Sequence, residues 1–225
     1  MIRELVSDLR TNSALQYTED VTWTQPVGLL SAEAESLAAP KRDMGFELRT
    51  QQSFQQYLRE RHSEATVLSR SYLNALSLRH AIPPWPSPGI QELAFPCIIL
   101  EAKCDSQPLL YAENQAAGGT ATCLKMIERL EEVYFNTNGQ RFSPLSVLAI
   151  CSEGPTFAIL IAFQGDISDA SIAQNIHLVT IWKGDVTDHW NLFLLLLLSK
   201  RASSWVEERF RSSVVAMLEG LRKVV

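Results

Sequence analysis

The sequence lacks the long apolar segments of a membrane or secreted protein. Its most apolar run, residues 192–198, has seven residues, whereas a membrane-spanning helix needs about 20. Glu4 and Asp8 interrupt the N-terminal region, where a signal peptide needs an unbroken apolar stretch. We therefore expect an intracellular protein of the nucleus or cytoplasm, neither secreted nor membrane-bound, in which residues 192–198 form a buried helix segment.

Cysteine, glycine and proline are also sparse. The four cysteines are scattered without a close CxxC pair, so we expect reduced thiols in the core rather than disulfides or a zinc site; they are Cys97, Cys104, Cys123 and Cys151. Ten glycines and ten prolines exclude a collagen-like or low-complexity chain. With 225 residues, 46% of them hydrophobic, the chain can bury a substantial core.

The chain has fewer basic than acidic residues. It contains 20 Lys and Arg and 25 Asp and Glu, which give a formal net charge of −5. Such a chain is not a general polyanion binder, so any contact with nucleic acid must come from a local basic patch. The sequence has no glycine-rich phosphate loop and no Ser-His-Asp arrangement, and its four histidines lack metal-ligand spacing.

The clearest strand signal is residues 95–103, which are apolar until two charges appear at the end. A continuous apolar run of this kind is typical of a central strand buried on both faces. We predict one α/β domain over 1–225, with a core at about 30–185 and C-terminal helices within 188–224. Further strands are predicted at 41–48, 144–151, 156–163 and 176–182, and helices at 1–12, 29–39, 54–81, 111–135, 188–199 and 205–224.

Two charged residues close the predicted central strand. Glu101 and Lys103 are two apart, so both side chains point to one face of the sheet, at the strand end where open α/β sheets bind ligands. A carboxylate can hold a divalent cation, and a lysine can orient a water molecule or stabilise negative charge that develops on phosphorus. The motif is short, and a salt-bridged strand end is the simpler interpretation of these two residues taken alone.

Other residues could complete such a site. Asp43, on an earlier predicted strand, could supply the second carboxylate that a hard cation needs, although it could also be a turn or capping residue. Gln115 lies early on the helix after the Glu101 strand, and its alternative is a partly exposed helix residue. The start of that helix also favours anions such as phosphate. The candidate contacts to nucleic acid are Lys41, Arg42 and Lys103, and Arg49, Lys125 or Arg141 are further candidates.

Two adjacent segments resemble a known family. Residues 95–103, FPCIILEAK, followed by residues 111–119, YAENQAAGG, are similar to the "FP…EAK" strand and "AENQAAG" helix of the fungal branch of the PD-(D/E)XK nuclease-like superfamily. Residues 40–45, PKRDMG, resemble the earlier "PD…G" strand of that family, with Arg42 where proline is usual. The resemblance begins at about residue 17 and is most specific over 95–119.

The resemblance implies a restriction-endonuclease-like core of α-β-β-β-α-β type, with a mixed sheet flanked by helices and one metal site. Asp43, Glu101 and the backbone carbonyl of Ala102 would bind Mg²⁺ or Mn²⁺, Lys103 would assist the attacking water, and Gln115 would position substrate or water. An upstream helical carboxylate would be Glu33 or Glu35, and the sequence does not choose between them.

The expected function is a metal-dependent endonuclease that hydrolyses phosphodiester bonds of nucleic acid, DNA rather than RNA. The alternative is a catalytically weak or inactive nuclease-like scaffold that binds nucleic acid or protein, which the acidic net charge favours. A regulatory or toxin-like partner protein is a third possibility, and a homodimer is left open.

Overall fold

Six strands form one mixed sheet in a computed structural model that describes residues 15–22, 41–50, 67–86, 93–104, 107–165 and 176–222. The strands are β1 (Leu15–Thr22), β2 (Lys41–Arg49), β3 (Leu93–Lys103), β4 (Val147–Glu153), β5 (Thr156–Gln164) and β6 (Ile176–Asp185). The helices are α1 (Arg70–His80), α2 (Leu109–Asn138), α3 (His189–Trp205) and α4 (Ser212–Arg222), with a π-helical segment, Val206–Arg211, between the last two.

The strands lie in the sheet in the order in which they occur in the chain. The pairs β1–β2, β2–β3, β4–β5 and β5–β6 are antiparallel, and β3 pairs with β4 in parallel. A parallel pair needs a crossover connection, and the 30-residue helix α2 provides it. The described part of the chain is therefore an α/β structure with a mixed sheet and flanking helices, as the sequence predicted.

β3 lies in the middle of the sheet because its apolar run can be buried on both faces, and residues 94–100 are all buried. Pro96 has no N–H for the ladder, and it lies where the register between β2 and β3 shifts. The preceding Phe95 has a φ of +50° and donates its N–H to the carbonyl of Pro84. The register irregularity thus accommodates a proline within a central strand.

α2 packs against β3 and β4 through small side chains. Ala112 and Ala116 are buried in one cluster with Ala149 and Cys151 of β4. Small residues let the helix axis approach the sheet closely. α2 ends at Gly139, whose φ of +70° is the left-handed conformation that glycine adopts readily at a helix C-terminus.

The C-terminal helices form one continuous helical run, whereas the sequence predicted two helices with a break between 199 and 205. The π-helical segment absorbs the irregularity without interrupting the run. α4 contacts α2 at Gly220, where an added Cβ would lie against the ring of Tyr134. The Tyr72 hydroxyl of α1 donates to the carbonyl of Leu218 at 2.7 Å and so joins α1 to α4.

Most predicted strands and helices are confirmed where the structure describes them. The predicted helices at 1–12 and 29–39, and the part of 54–81 before residue 67, lie outside the described residues. β1 was not predicted, because polar and apolar residues do not alternate regularly in its sequence. A strand at the edge of the described sheet tolerates such a pattern.

Two expectations about burial are wrong. Cys104 is exposed, although Cys97, Cys123 and Cys151 are buried thiols as expected. Within residues 192–198 Leu195 alone is buried, so this run is not the core helix segment that its composition suggested. α3 packs inward through Leu195 and Ser199, with Leu192 and Leu198 partly buried against the core, and it exposes Leu196 and Leu197. Among the described helices, none is both long enough and apolar enough to span a membrane.

Candidate functional site

Three strand ends meet at one edge of the sheet. β3 and β4 are parallel, so their carboxyl ends lie together, and the antiparallel β2 begins at the same edge. The start of α2 lies there as well, because the N–H of Leu109 donates to Glu153 Oε2 at 2.8 Å. Topology therefore gathers Asp43, Glu101, Lys103 and Glu153 from distant parts of the chain.

The Asp43 carboxylate is held against the backbone of β3. Its Oδ2 accepts the N–H of Ala102 at 2.6 Å, a short bond of the charge-assisted kind. Continuing the register beyond the Met44–Leu100 pair by one step sets Asp43 opposite Glu101, with both side chains on the same face. The two candidate metal ligands thus come from neighbouring strands.

Glu101 is almost completely buried, with 1% of its surface exposed, whereas Asp43 and Lys103 are half-buried. An ionised carboxylate removed from water is costly unless hydrogen-bond donors or a cation compensate it. Lys103 follows two residues later on the same strand and brings a positive charge to the same face. Glu101 is therefore a buried carboxylate with a lysine on the same face of its strand.

Cys151 and Glu113 also belong to this region, although the sequence analysis did not single them out. Cys151 is the parallel partner of Glu101. Burial raises the pKa of the Cys151 thiol to about 12, the negative charges of Glu113 and Glu101 add to the rise, and Lys103 opposes it. The thiol therefore stays protonated at neutral pH. A sequence signal for Glu113 existed, because it lies in the same AENQAAG segment as Gln115.

Gln115 lies on the exposed side of α2. Gly119 of the same helix lies against Ile99, and α2 runs back along β3 from its carboxyl end. From the Gly119–Ile99 contact, Gln115 is four residues back along the helix, a rise of about 6 Å. Glu101 is two residues further along the strand, about 6.6 Å, so Gln115 and Glu101 are at the same level. Its position fits a residue that lines an approach to the site rather than one that coordinates a metal beside Glu101.

The start of α2 already has an anionic partner. The first N–H of the helix, at Leu109, is bound by the carboxylate of Glu153, which satisfies part of the positive end of the helix dipole. Glu153 is also the register partner of Lys103. A phosphate at this end of α2, as the sequence suggested, would therefore have to compete with the Glu153 carboxylate for the N–H of Leu109.

The candidate basic residues are distributed unevenly. The backbones of Lys41 and Arg42 lie at the start of β2, paired with Thr22 and Val21 of β1, near the same edge as Asp43. Arg141 follows α2, a helix about 45 Å long, and its guanidinium lies 4.5 Å from the ring centre of Phe135. Arg141 is thus at the far end of α2, so the expectation that it contributes to the same approach is wrong.

The oxygen donors of this edge fit a hard divalent cation. Asp43 and Glu101 offer carboxylate oxygens, and Ala102, whose N–H faces Asp43, offers a backbone carbonyl. Mg²⁺ is usually held by one or two carboxylates and keeps several waters. Across the described segments no group of three or more His, Cys, Asp or Glu side chains could hold a metal ion. Glu33 and Glu35 lie outside the described residues.

Comparison of the chain with family models, with curated proteins and with solved structures finds no match.

Proposed function

We propose that this protein is a Mg²⁺- or Mn²⁺-dependent nuclease that hydrolyses phosphodiester bonds, with DNA as the preferred substrate. The observation that carries the proposal is the hydrogen bond from Ala102 N–H to Asp43 Oδ2, which fixes one carboxylate beside the buried carboxylate of Glu101. The resemblance of residues 95–119 to the PD-(D/E)XK superfamily agrees with this pairing.

The order of the described strands and helices also supports the proposed nuclease function. Apart from α1, the chain runs through three antiparallel strands, the helix α2 and a fourth strand parallel to the third. This order agrees with the β-β-β-α-β part of the core that the resemblance implies. The metal residues then fall on β2 and β3, the second and third strands of the sheet.

In the proposed reaction, Asp43, Glu101 and the Ala102 carbonyl hold the cation. When bound, the cation supplies Lewis acidity and makes a coordinated water more acidic. The Lys103 ammonium orients the attacking water and stabilises negative charge on the phosphate oxygens. Gln115, level with Glu101 on the exposed side of α2, hydrogen-bonds the substrate.

The substrate is held by few positive charges. Within the part of the chain that the structure describes, Lys41, Arg42 and Lys103 belong to the strand ends at the site, and the net charge of the full sequence is −5. Each phosphate that a Lys or Arg neutralises steepens the dependence of the binding constant on salt concentration. Three such contacts should therefore give a shallow salt dependence and modest affinity. We therefore expect cleavage to weaken as the salt concentration rises.

The first test is calorimetric titration of Mn²⁺ and Mg²⁺ into the wild type, Asp43→Asn, Glu101→Gln and Glu132→Gln. Glu132 is an exposed carboxylate of α2 that pairs with Arg129, so its variant is the matched control. Saturable binding that is lost in the first two variants and kept in the control supports the site. Equal binding in all four proteins contradicts it.

The second test separates catalysis from binding. Lys103→Met and, as the control, Lys200→Met at an exposed lysine of α3 are incubated with double-stranded DNA, single-stranded DNA and RNA in the presence of Mg²⁺. Loss of about 100-fold or more in the cleavage rate for Lys103→Met alone would be in the range expected for a positioned catalytic group. Equal rates in both variants would contradict the role of Lys103.

A scaffold that binds without cleaving is the second candidate, and two observations favour it. The chain is net acidic, and Glu153 already binds the first N–H of α2. A gel-shift assay in EDTA and a cleavage assay in Mg²⁺ or Mn²⁺ distinguish the two candidates. A stable complex with nucleic acid in the first assay and no cleavage in the second would favour the scaffold.

A further inference from the structure

A cavity of about 670 Å³ lies beside the C-terminal half of α2. Its walls are this helix, the segment 141–144 that follows it, and Met217 of α4. Residues 115 and 131 of α2 are 16 residues apart, which corresponds to about 24 Å along the helix. The cavity is therefore separate from the sheet edge that carries Glu101, and its volume is in the range that holds small organic molecules.

Three carboxylates of α2 line the cavity. Glu128, Glu131 and Glu132 are spaced by three and four residues, so they lie on one side of the helix. Glu132 pairs with Arg129 at 3.0 Å, whereas Glu131 faces the like charge of Glu128. Among the described residues that line the cavity, Arg141 is the one basic side chain. The lining therefore has an excess of acidic groups.

Glu131 has an oxygen atom without a donor. Within the described part of the chain its Oε1 is buried and has no hydrogen-bond partner, while the N–H of Leu145 donates to the same carboxyl group. A buried oxygen that lacks a donor destabilises the folded state. The last torsion of a glutamate side chain is broad, so the carboxyl group can turn Oε1 toward a donor in the cavity. A positively charged N–H group would supply both the missing donor and the missing charge.

Aromatic rings form much of the remaining wall. Tyr134 and Phe142 meet edge to face with their centres 5.0 Å apart. The guanidinium of Arg141 lies 4.5 Å from the ring centre of Phe135, so one ring of the wall already holds a cation of the chain itself. Aromatic faces attract cations, whereas an anion would be repelled by the carboxylates. Rings and carboxylates together thus favour an organic cation.

We propose that this cavity binds a small organic cation with an N–H donor, such as a primary ammonium compound. The ammonium group donates to the Glu131 carboxylate, and the carbon skeleton packs against Tyr134 and Phe142. Arg141 competes with the ligand, because its charge already compensates part of the acidic lining. The proposal is independent of the proposed nuclease function, since none of these residues belongs to the candidate metal site.

The first experiment is an NMR titration of the ¹⁵N-labelled full chain with benzylamine at pH 8. The titration extends to about 20 mM, because a ligand of this size is expected to have a Kd on the order of 1 mM. Benzyl alcohol, which is neutral, and benzyltrimethylammonium, which has no N–H, are the control probes. Benzylamine should shift the signals of residues around the cavity and bind at least tenfold more tightly than either control. Equal binding of a control, or shifts confined to another part of the protein, overturns the proposal.

The second experiment repeats the benzylamine titration with Glu131→Gln and Glu207→Gln. The first variant keeps the size of the side chain and removes its charge, so the affinity should fall at least tenfold. Glu207 is an exposed carboxylate outside the cavity, and its variant should keep the wild-type Kd. The melting temperature of each variant checks that it is folded. Equal Kd values in the two variants overturn the assignment to Glu131.

The pH dependence is a readout that a purely structural role of Glu131 would not change. Burial raises the pKa of this carboxyl to about 7, Glu128 adds to the rise, and the Leu145 N–H and Arg141 oppose it. The carboxylate is therefore mostly protonated at pH 6 and mostly ionised at pH 8, where benzylamine should bind the wild type about tenfold more tightly. Glu131→Gln should bind equally at both pH values. A wild-type affinity that does not change with pH overturns the proposal.

Arg141→Gln should have the opposite effect to Glu131→Gln. Arg141 is exposed, so its replacement is tolerated by the fold, and it removes the competing cation. Benzylamine should bind this variant about two- to fivefold more tightly than the wild type at pH 8, the range expected for one exposed charge pair. A weaker affinity would show that Arg141 helps to hold the ligand, as it would hold an anion, and overturns the proposal.

Discussion

Gly119 of α2 lies directly against Ile99 of β3, so that a Cβ at position 119 would approach Ile99 Cδ1 to 2.7 Å. The neighbouring Gly118 has no atom within 4 Å of the corresponding position. Ile99 is fully buried and precedes Glu101 by two residues. The two glycines therefore differ in their surroundings, and Gly119 determines how closely the helix lies on the strand that carries Glu101.

Replacing each glycine by alanine should give opposite results. Gly118→Ala should stabilise the protein by up to about 1 kcal/mol, because alanine is the better helix former. Gly119→Ala should destabilise it by about 1–3 kcal/mol, because the methyl group would overpack a filled core. Urea unfolding of both variants measures the difference. Equal stability changes would mean that the Ile99 side chain shifts away from the new methyl group without cost.

Metal should stabilise the folded chain if the proposed site is correct. A ligand that binds the native state alone stabilises it by about 2.7 kcal/mol at 100 times its Kd. We expect saturating Mn²⁺ to raise the melting temperature of the wild type and of Glu132→Gln, and EDTA to reverse the rise. Asp43→Asn should show no rise, and a shift equal to that of the wild type would contradict the assigned ligand.

The stability of the protein should fall as the pH rises through the titration of Glu131. Burial raises the pKa of the Glu131 carboxyl from 4.5 to about 7, and Glu128 adds to the rise; the N–H of Leu145 and the charge of Arg141 oppose it. Because the folded state holds the proton more tightly, this contribution to stability is complete below pH 4.5 and is lost as the pH rises through about 7.

Glu131→Gln removes this titration. At about pH 8 the variant should gain up to about 2 kcal/mol relative to the wild type after allowance for solvent screening, and the two proteins should converge near pH 4.5. Thermal melts at a series of pH values measure the difference. Glu132→Gln, on the exposed side of the same helix, should leave the pH dependence unchanged, and a difference that does not vary with pH would contradict the assignment to Glu131.

Thiol reactivity should distinguish the one exposed cysteine from the three buried ones. Cys104 is exposed, whereas burial raises the pKa of Cys151 to about 12 and leaves little thiolate. A colorimetric thiol titration of the native protein should show one fast group, and Cys104→Ser should remove it. The other three should react only after denaturation. Two or more fast thiols in the native protein would contradict the burial of the others.

The sequence predicted β3 best, because a long apolar run can be accommodated only where both faces are covered. It did not predict β1, because an edge strand has weaker demands on its pattern. It also failed to predict the exposure of residues 192–198, since composition gives the hydrophobicity of a run and not the side of the helix that meets the core.

The part of the candidate site that lies on one strand was predictable from the sequence. Glu101 and Lys103 are close in sequence and share a strand, so their common face follows from the alternation of side chains. Cys151 and Glu153 join them through the parallel pairing of β3 with β4, which depends on the crossover by α2. Such neighbours are set by tertiary packing, and no local pattern around residue 151 or 153 indicates them.

Because the strands of the sheet follow the order of the chain, each strand pairs with the one made just before it. No described strand has to be inserted between two others that have already paired, and the two long connections, 50–92 between β2 and β3 and 104–146 between β3 and β4, each contain a helix that forms locally. Partners that are close in sequence, as in the β4–β5 pair, favour fast folding. The sheet can therefore grow in one direction during synthesis, with the strands of the candidate site paired before β5 and β6 are made.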